Sequence, residues 1–219
     1  MSHRRRSAQA RSAARPDDDI FKRRPTTVKS RRRPDGRWEL LHPTAALELA
    51  EDLEEVQTMR AAGEKDVAVD ELRWLLSECH DSIEAHYLLG EMAFEDEDWR
   101  LARAHFGHAF DLGYAALPVG GVGGKLSYEL PANQPLMQAA KGLAFCLYEL
   151  ERGKTALAVL EVLASWDAAD PLGAAALATK WTADIAAATG APPTDAAPED
   201  EDAEDDAHEG EDDDGDPEA

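Results

Sequence analysis

Residues 83 to 112 read Ile-Glu-Ala-His-Tyr-Leu-Leu-Gly-Glu-Met-Ala-Phe-Glu-Asp-Glu-Asp-Trp-Arg-Leu-Ala-Arg-Ala-His-Phe-Gly-His-Ala-Phe-Asp-Leu. Apolar or small side chains at Ile83, His86, Leu89, Gly90 and Ala93 recur at spacings of three and four, which predicts one face of a helix. Leu101, Ala102, His105, Phe106 and Ala109 do the same for a second helix. Between them, Glu95-Asp96-Glu97-Asp98 is a polar turn, and Asp98 is a good N-cap. Asp81 with Glu84 offers a capping box at the first helix. Gly113 is expected to stop the second helix, since glycine takes the left-handed conformation cheaply.

This stretch resembles a tetratricopeptide repeat, a 34-residue helix-turn-helix with a spaced signature. Leu89-Gly90 matches the Leu-Gly pair of that family, and Ala102, Phe106 and Ala109 match its second helix. His86 stands where the family often has Trp, Ala93 replaces the usual aromatic, and Tyr114 falls at the closing Pro. The resemblance implies that the two helices cross closely at Gly90 and Ala102.

A period supports it. Thirty-four residues before Ala102, Phe106 and Ala109 stand Ala68, Leu72 and Leu75, the same chemistry in the same register. Fifty-four residues after Ala102 comes Ala156, followed by Leu160 and Leu163, with Leu143-Ala144 and Leu147 preceding them. The longer shift implies an insertion of about 20 residues, and the Gly- and Pro-rich segment 114–134 supplies it. The expected fold is therefore all-α: about three antiparallel helix pairs and a C-terminal capping helix over 171–189, in one domain spanning 38–190. Its first helix is expected from Pro43 to about Ala62 with Leu47 inward, its second to bury Val67, and Trp38 to pack as a lid on both.

Charge divides the chain into three. Residues 1–37 carry a net +9, residues 38–190 a net −16, and residues 191–219 fifteen acids with no Lys or Arg. Both ends lack the apolar residues needed for a core and are expected to be disordered, as a basic arm and an acidic tail. Two cysteines make no disulfide framework, so a reducing, cytoplasmic setting is the expectation. No apolar run is long enough for a membrane span. The Arg-rich arm lacks interleaved aromatics, so at most weak nucleic-acid contact is expected from it.

Catalytic patterns are absent. Gly123-Gly124-Lys125 has Val119 and Leu126 where a phosphate loop needs Gly and Ser or Thr. Cys79 and His80 are adjacent on a helix and point apart. His105 and His108, three apart, share a face with which His86 or Cys79 could complete a metal site, but packing faces are the expected place for these rings. The sequence thus predicts neither an enzyme nor a cofactor.

In proteins similar to tetratricopeptide arrays, the first helix of each pair lines a concave face. The outward residues there are Glu84, Tyr87, Glu91, Phe94 and Glu95, and on the later pair Gln138, Lys141, Phe145, Tyr148 and Glu149. Aromatics among carboxylates suit a basic or amphipathic segment of a partner protein. The expected function is a protein-interaction module or scaffold. The alternative is an acidic, chaperone-like binder of basic or nucleic-acid-binding proteins through the tail.

Overall fold

The computed structural model describes residues 20–189. The Arg run at 4–6 and the acidic tail lie outside the described residues. What is described is an all-α fold. A short hairpin, β1 (Lys29–Arg32) and β2 (Trp38–Leu41), precedes eight helices. These are α1 (Thr44–Glu48), α2 (Ala50–Ala61), α3 (Lys65–Glu78), α4 (Ile83–Glu95), α5 (Trp99–Ala116), α6 (Gln134–Glu149), α7 (Gly153–Trp166) and α8 (Ala174–Thr189). From α2 onward each helix packs on the next, and α4 also packs on α6. None of the described helices is long and apolar enough to cross a membrane.

Three pairs, α2–α3, α4–α5 and α6–α7, close with the same turn. Its middle residue is Gly63, Glu97 or Glu151, each with positive φ, at +81°, +58° and +59°. The residue after it donates five back into the helix: Glu64 to Met59 at 2.9 Å, Asp98 to Ala93 at 2.9 Å, Arg152 to Leu147 at 2.8 Å. That bond satisfies a carbonyl orphaned at the helix C-terminus. These turns stand 34 and 54 residues apart, the spacings read from the apolar pattern. Only the first uses glycine, so two of the three turns hold a side chain in a conformation that costs about 1 kcal/mol or more.

Several local expectations are corrected. The helix expected over 43–62 breaks at Leu49 into α1 and α2, leaving Leu47 61% exposed. Val67 is 52% exposed, and Leu101 also faces outward. Ser82 rather than Asp81 caps α4, accepting from the Ala85 amide at 3.3 Å, while Asp98 caps α5 through the Leu101 amide at 3.0 Å. Gly113 does not stop α5. It lies inside the helix because a Cβ there would come within 2.5 Å of Leu136, so its lack of a side chain admits α6.

The largest correction concerns residues 20–37, which are not a free arm. Phe21 packs edge-on against Phe110 and Tyr114, with ring centroids 6.1 and 6.0 Å away. Arg23 lies over the Tyr114 ring and donates to the carbonyls of Leu117 and Pro118 at the end of α5, where a cation also suits the helix dipole. Asp81, freed from capping, accepts from the Thr27 amide and hydroxyl. The hairpin then buries Val28 and Leu40. Trp38 is not a lid on the first helices: its amide donates to the Lys125 carbonyl at 2.7 Å, joining the hairpin to the insertion.

The insertion is itself fastened. The Leu126 amide donates to the Trp166 carbonyl at 2.8 Å, and Asp167 accepts from the Tyr128 amide at 2.8 Å. Asn133, in the turn before α6, has no exposed surface. Its Oδ1 accepts from the Leu40 amide at 2.9 Å, and its Nδ2 donates to Trp38 at 3.0 Å and Ser127 at 2.9 Å. A single buried amide thus joins β2, the insertion and α6.

At the centre, Phe106 of α5 lies between two glycines. A Cβ on Gly90 of α4 would reach its ring at 2.5 Å, and one on Gly142 of α6 at 2.6 Å. The ring is thus pressed against two helix backbones at positions that carry no side chain.

Three imidazoles form a second seam between α4 and α5. The His86 ring lies tilted 4.2 Å from His108 and 5.8 Å from His105, centroid to centroid. Its Nδ1 is buried without a hydrogen-bond partner among the described residues. Burial first, then the His108 charge, hold its pKa down to about 3, and burial lowers His105 and His108 too. Asp81 acts the other way on His86 and His108, while Arg73 adds to the depression at His105 and Arg24 at His108. The unfolded chain takes up these protons near pH 6.5, the folded chain only at lower pH. The unfolded state therefore binds more protons in between, so stability is fully present above about 6.5 and is lost as pH falls toward 3. By pH 5 the His86 share amounts to about 1–2 kcal/mol. The melting temperature is expected to drop between pH 7.5 and 5, and His86→Phe to shrink that drop. An equal drop in the variant would remove His86 from the account.

Candidate functional site

Helices α4 and α6 form the floor of an open cavity of about 590 Å³. Successive turns of α4 bring Tyr87, Glu91, Phe94 and Glu95 into it, and α6 brings Gln138, Lys141, Gly142 and Phe145. Arg60, at the end of α2, closes one side, and Leu172, between α7 and α8, the other. The Phe106 ring shows through between the two glycines at the bottom.

Of the ten outward residues named from the sequence, seven line this cavity together: Tyr87, Glu91, Phe94, Glu95, Gln138, Lys141 and Phe145. Glu84 lies next to it, in a smaller depression shared with Tyr87, Glu91 and Gln138, where burial pushes its carboxyl above the usual range. Tyr148 is turned to the cap: its ring stacks 4.3 Å from Trp181 of α8. Glu149 is exposed and is not part of the lining.

The aromatic rings continue one another. Phe94 meets Trp99 at 5.0 Å and Phe145 at 6.3 Å, and Phe145 meets Trp181 at 5.1 Å, all edge to face. With Tyr148 they form a ladder across α5, α4, α6 and α8. Such edge-to-face pairs add about 0.5–1.5 kcal/mol each beyond burial, so the wall is stiff.

Charge is where the expectation from sequence needs revision. Glu91 and Glu95 are not open to a cationic ligand, because Arg60 reaches both, with 2.6 Å to Glu91. Tyr87 donates its hydroxyl to the other Glu91 oxygen, and burial together with that carboxylate pushes its own pKa up. Burial opposes the Arg60 charge, but its bonds to Glu95 and Glu91 outweigh that and raise its pKa. Lys65 adds a bond to Asp96 at 2.5 Å. Lys141, on the opposite wall, donates to the Leu172 carbonyl at 2.9 Å. Two cations and two carboxylates line the cavity, so its net charge is zero.

Sequence reasoning missed Arg60, Phe106, Gly142, Leu172 and Trp181. A signal existed for the first: Arg60 stands 34 residues before Phe94, so the repeat register alone places it on the same face. Leu172 and Trp181 had no such signal, because the solitary last helix lies outside the repeat.

Neither cysteine lines the cavity. Burial pushes the Cys146 thiol up to about 12 and raises that of Cys79, so neither supplies a thiolate near neutral pH. Among the described residues no group of His, Cys, Asp and Glu is arranged to hold a metal ion. No family model, curated protein or solved structure matches the chain.

Proposed function

We propose that this chain is a protein-interaction module that takes a segment of a partner protein into the groove between α4 and α6, and that it is a binder rather than an enzyme. The observation that carries the reading is the cavity itself: an aromatic-walled trough whose two carboxylates are already paired with Arg60. Rigid aromatic anchors in a water-excluding depression are the usual centre of an interface. The resemblance of residues 44–190, less the insertion at 114–134, to tetratricopeptide arrays supports it, since such arrays expose a concave face. The balanced lining favours an amphipathic segment with an apolar anchor over a purely basic one.

The test is a comparison of proteins retained from cell extract by three immobilised forms: the natural chain, a Tyr87→Ala, Phe145→Ala double variant, and a chain ending at residue 189. A partner held by the first and third but lost from the second supports the groove. A set of partners unchanged by the double variant and lost with the tail would overturn it in favour of the acidic tail.

A further inference from the structure

The chemistry of the groove narrows its ligand, provided that the groove is the binding site proposed above. Its wall is flat and aromatic, with Tyr87, Phe94 and Phe145 half-exposed. Its net charge is zero, so an ionic ligand gains little by entering. Its contacts for an uncharged ligand include unspent donors on the α6 wall. Gln138 carries two amide protons and Lys141 three ammonium protons. Each makes one bond among the described residues, Gln138 to the Tyr128 hydroxyl at 3.1 Å and Lys141 to the Leu172 carbonyl. The carboxylates are charge-paired: Glu91 is held by Tyr87 and Arg60, and Glu95 by Arg60 with Lys65 3.9 Å away.

A site with surplus donors and an aromatic wall needs a ligand that brings acceptors and flat apolar rings. An α-helix fails the first requirement, because its carbonyls are spent on its own ladder. A basic peptide fails too, since it brings donors to a site whose carboxylates are paired. A polyproline II strand meets both. It makes no internal hydrogen bonds and turns its carbonyls outward. Its pyrrolidine rings suit aromatic-lined grooves, and its stiffness lowers the entropy lost on binding. We propose that the groove binds a proline-rich, uncharged segment of another protein in the polyproline II conformation, with Tyr87, Phe94 and Phe145 taking the rings and Gln138 and Lys141 donating to its carbonyls.

The probe is a fluorescein-labelled oligoproline of about ten residues, titrated with the full chain and followed by anisotropy. A leucine-rich amphipathic helix of the same length is the second ligand. Saturable oligoproline binding is expected, weakened about tenfold or more by Tyr87→Ala and by Phe145→Ala, and about three- to fivefold by Lys141→Met. Trp74→Ala, on the exposed face of α3, should leave it unchanged. Melting curves of each variant accompany the titrations. Lys141→Met removes no buried core side chain and keeps the test decisive should Phe145→Ala unfold. Oligoproline binding that survives all three groove variants overturns the proposal. Binding of the helix but not of oligoproline overturns it while leaving the groove reading standing, and failure of both ligands overturns both. A chain ending at residue 189 that binds oligoproline several-fold more tightly would show that the chain's own Ala191-Pro192-Pro193 segment occupies the groove, and would overturn the assignment to a partner.

Discussion

Gly90→Leu is expected to lower the folding free energy by about 2–4 kcal/mol and the melting temperature by roughly 5–15 °C. The clash is with Phe106, whose ring would lie 2.5–2.9 Å from a Cβ at residue 90. An exposed side chain would swing away. Phe106 cannot, because Gly142 holds its opposite edge, where a second Cβ would stand at 2.6–2.9 Å. The ring is therefore clamped between α4 and α6, and any relief must separate helices. The geometry predicts its own rescue. Phe106→Leu alone should be destabilising through lost packing, yet Gly90→Ala in that background should cost less than in the natural chain. Thermal melts of the four proteins give the coupling energy, expected to be about 1 kcal/mol or more. Additive effects would mean that Phe106 does not sit against Gly90. Glu97→Leu, in the exposed turn, exchanges one side chain for another at the same positive φ and should change little.

Asn133→Leu is the second large effect, about 3–4 kcal/mol, and it acts through polarity rather than volume. The substituent nearly matches asparagine in size, but it leaves the Leu40 amide and the Trp38 and Ser127 carbonyls without the partner they had. A buried polar group deprived of its partner costs about 1–3 kcal/mol. Loss should be concentrated in the hairpin and the insertion, since these meet at Asn133 while α2 to α5 pack without it. Limited proteolysis should cut within 29–41 and 117–133 well before helical circular dichroism declines. Cleavage spread evenly over the chain would show that the amide is not the junction between them.

Much of the array was legible because its determinants are local. Helix faces repeat every three or four residues, and the 34- and 54-residue spacings mark all three pairs in the bare sequence. Asp98 was readable as a cap from its own local preference. Gly113 misled for the same reason. Its preference for a turn is a statistical property of the residue, whereas its use here is to make room for Leu136, which lies 23 positions away. Leu101 and Val67 misled because an apolar residue at the edge of a helical stripe is buried only if a neighbouring helix covers it.

The N-terminal segment shows the same limit more sharply. Residues 20–37 have the composition of a basic tail, and no local rule would order them. They are ordered by what they meet: carbonyls left open at the end of α5, a carboxylate on Asp81, and a gap beside Phe110. The candidate groove divides in the same way. Its aromatic floor followed from helical periodicity, but its charge did not, since Arg60 neutralises Glu91 and Glu95 from another helix 31 and 35 residues earlier. The sequence by itself determined the helices and their pairing, because each depends on neighbours within about one turn or one repeat spacing. Only the tertiary structure decided that the arm is a strap, that the insertion is a joint and that the groove is neutral. Those outcomes depend on which buried donors find which acceptors across the chain, and pairing over such distances leaves no periodic trace in the sequence.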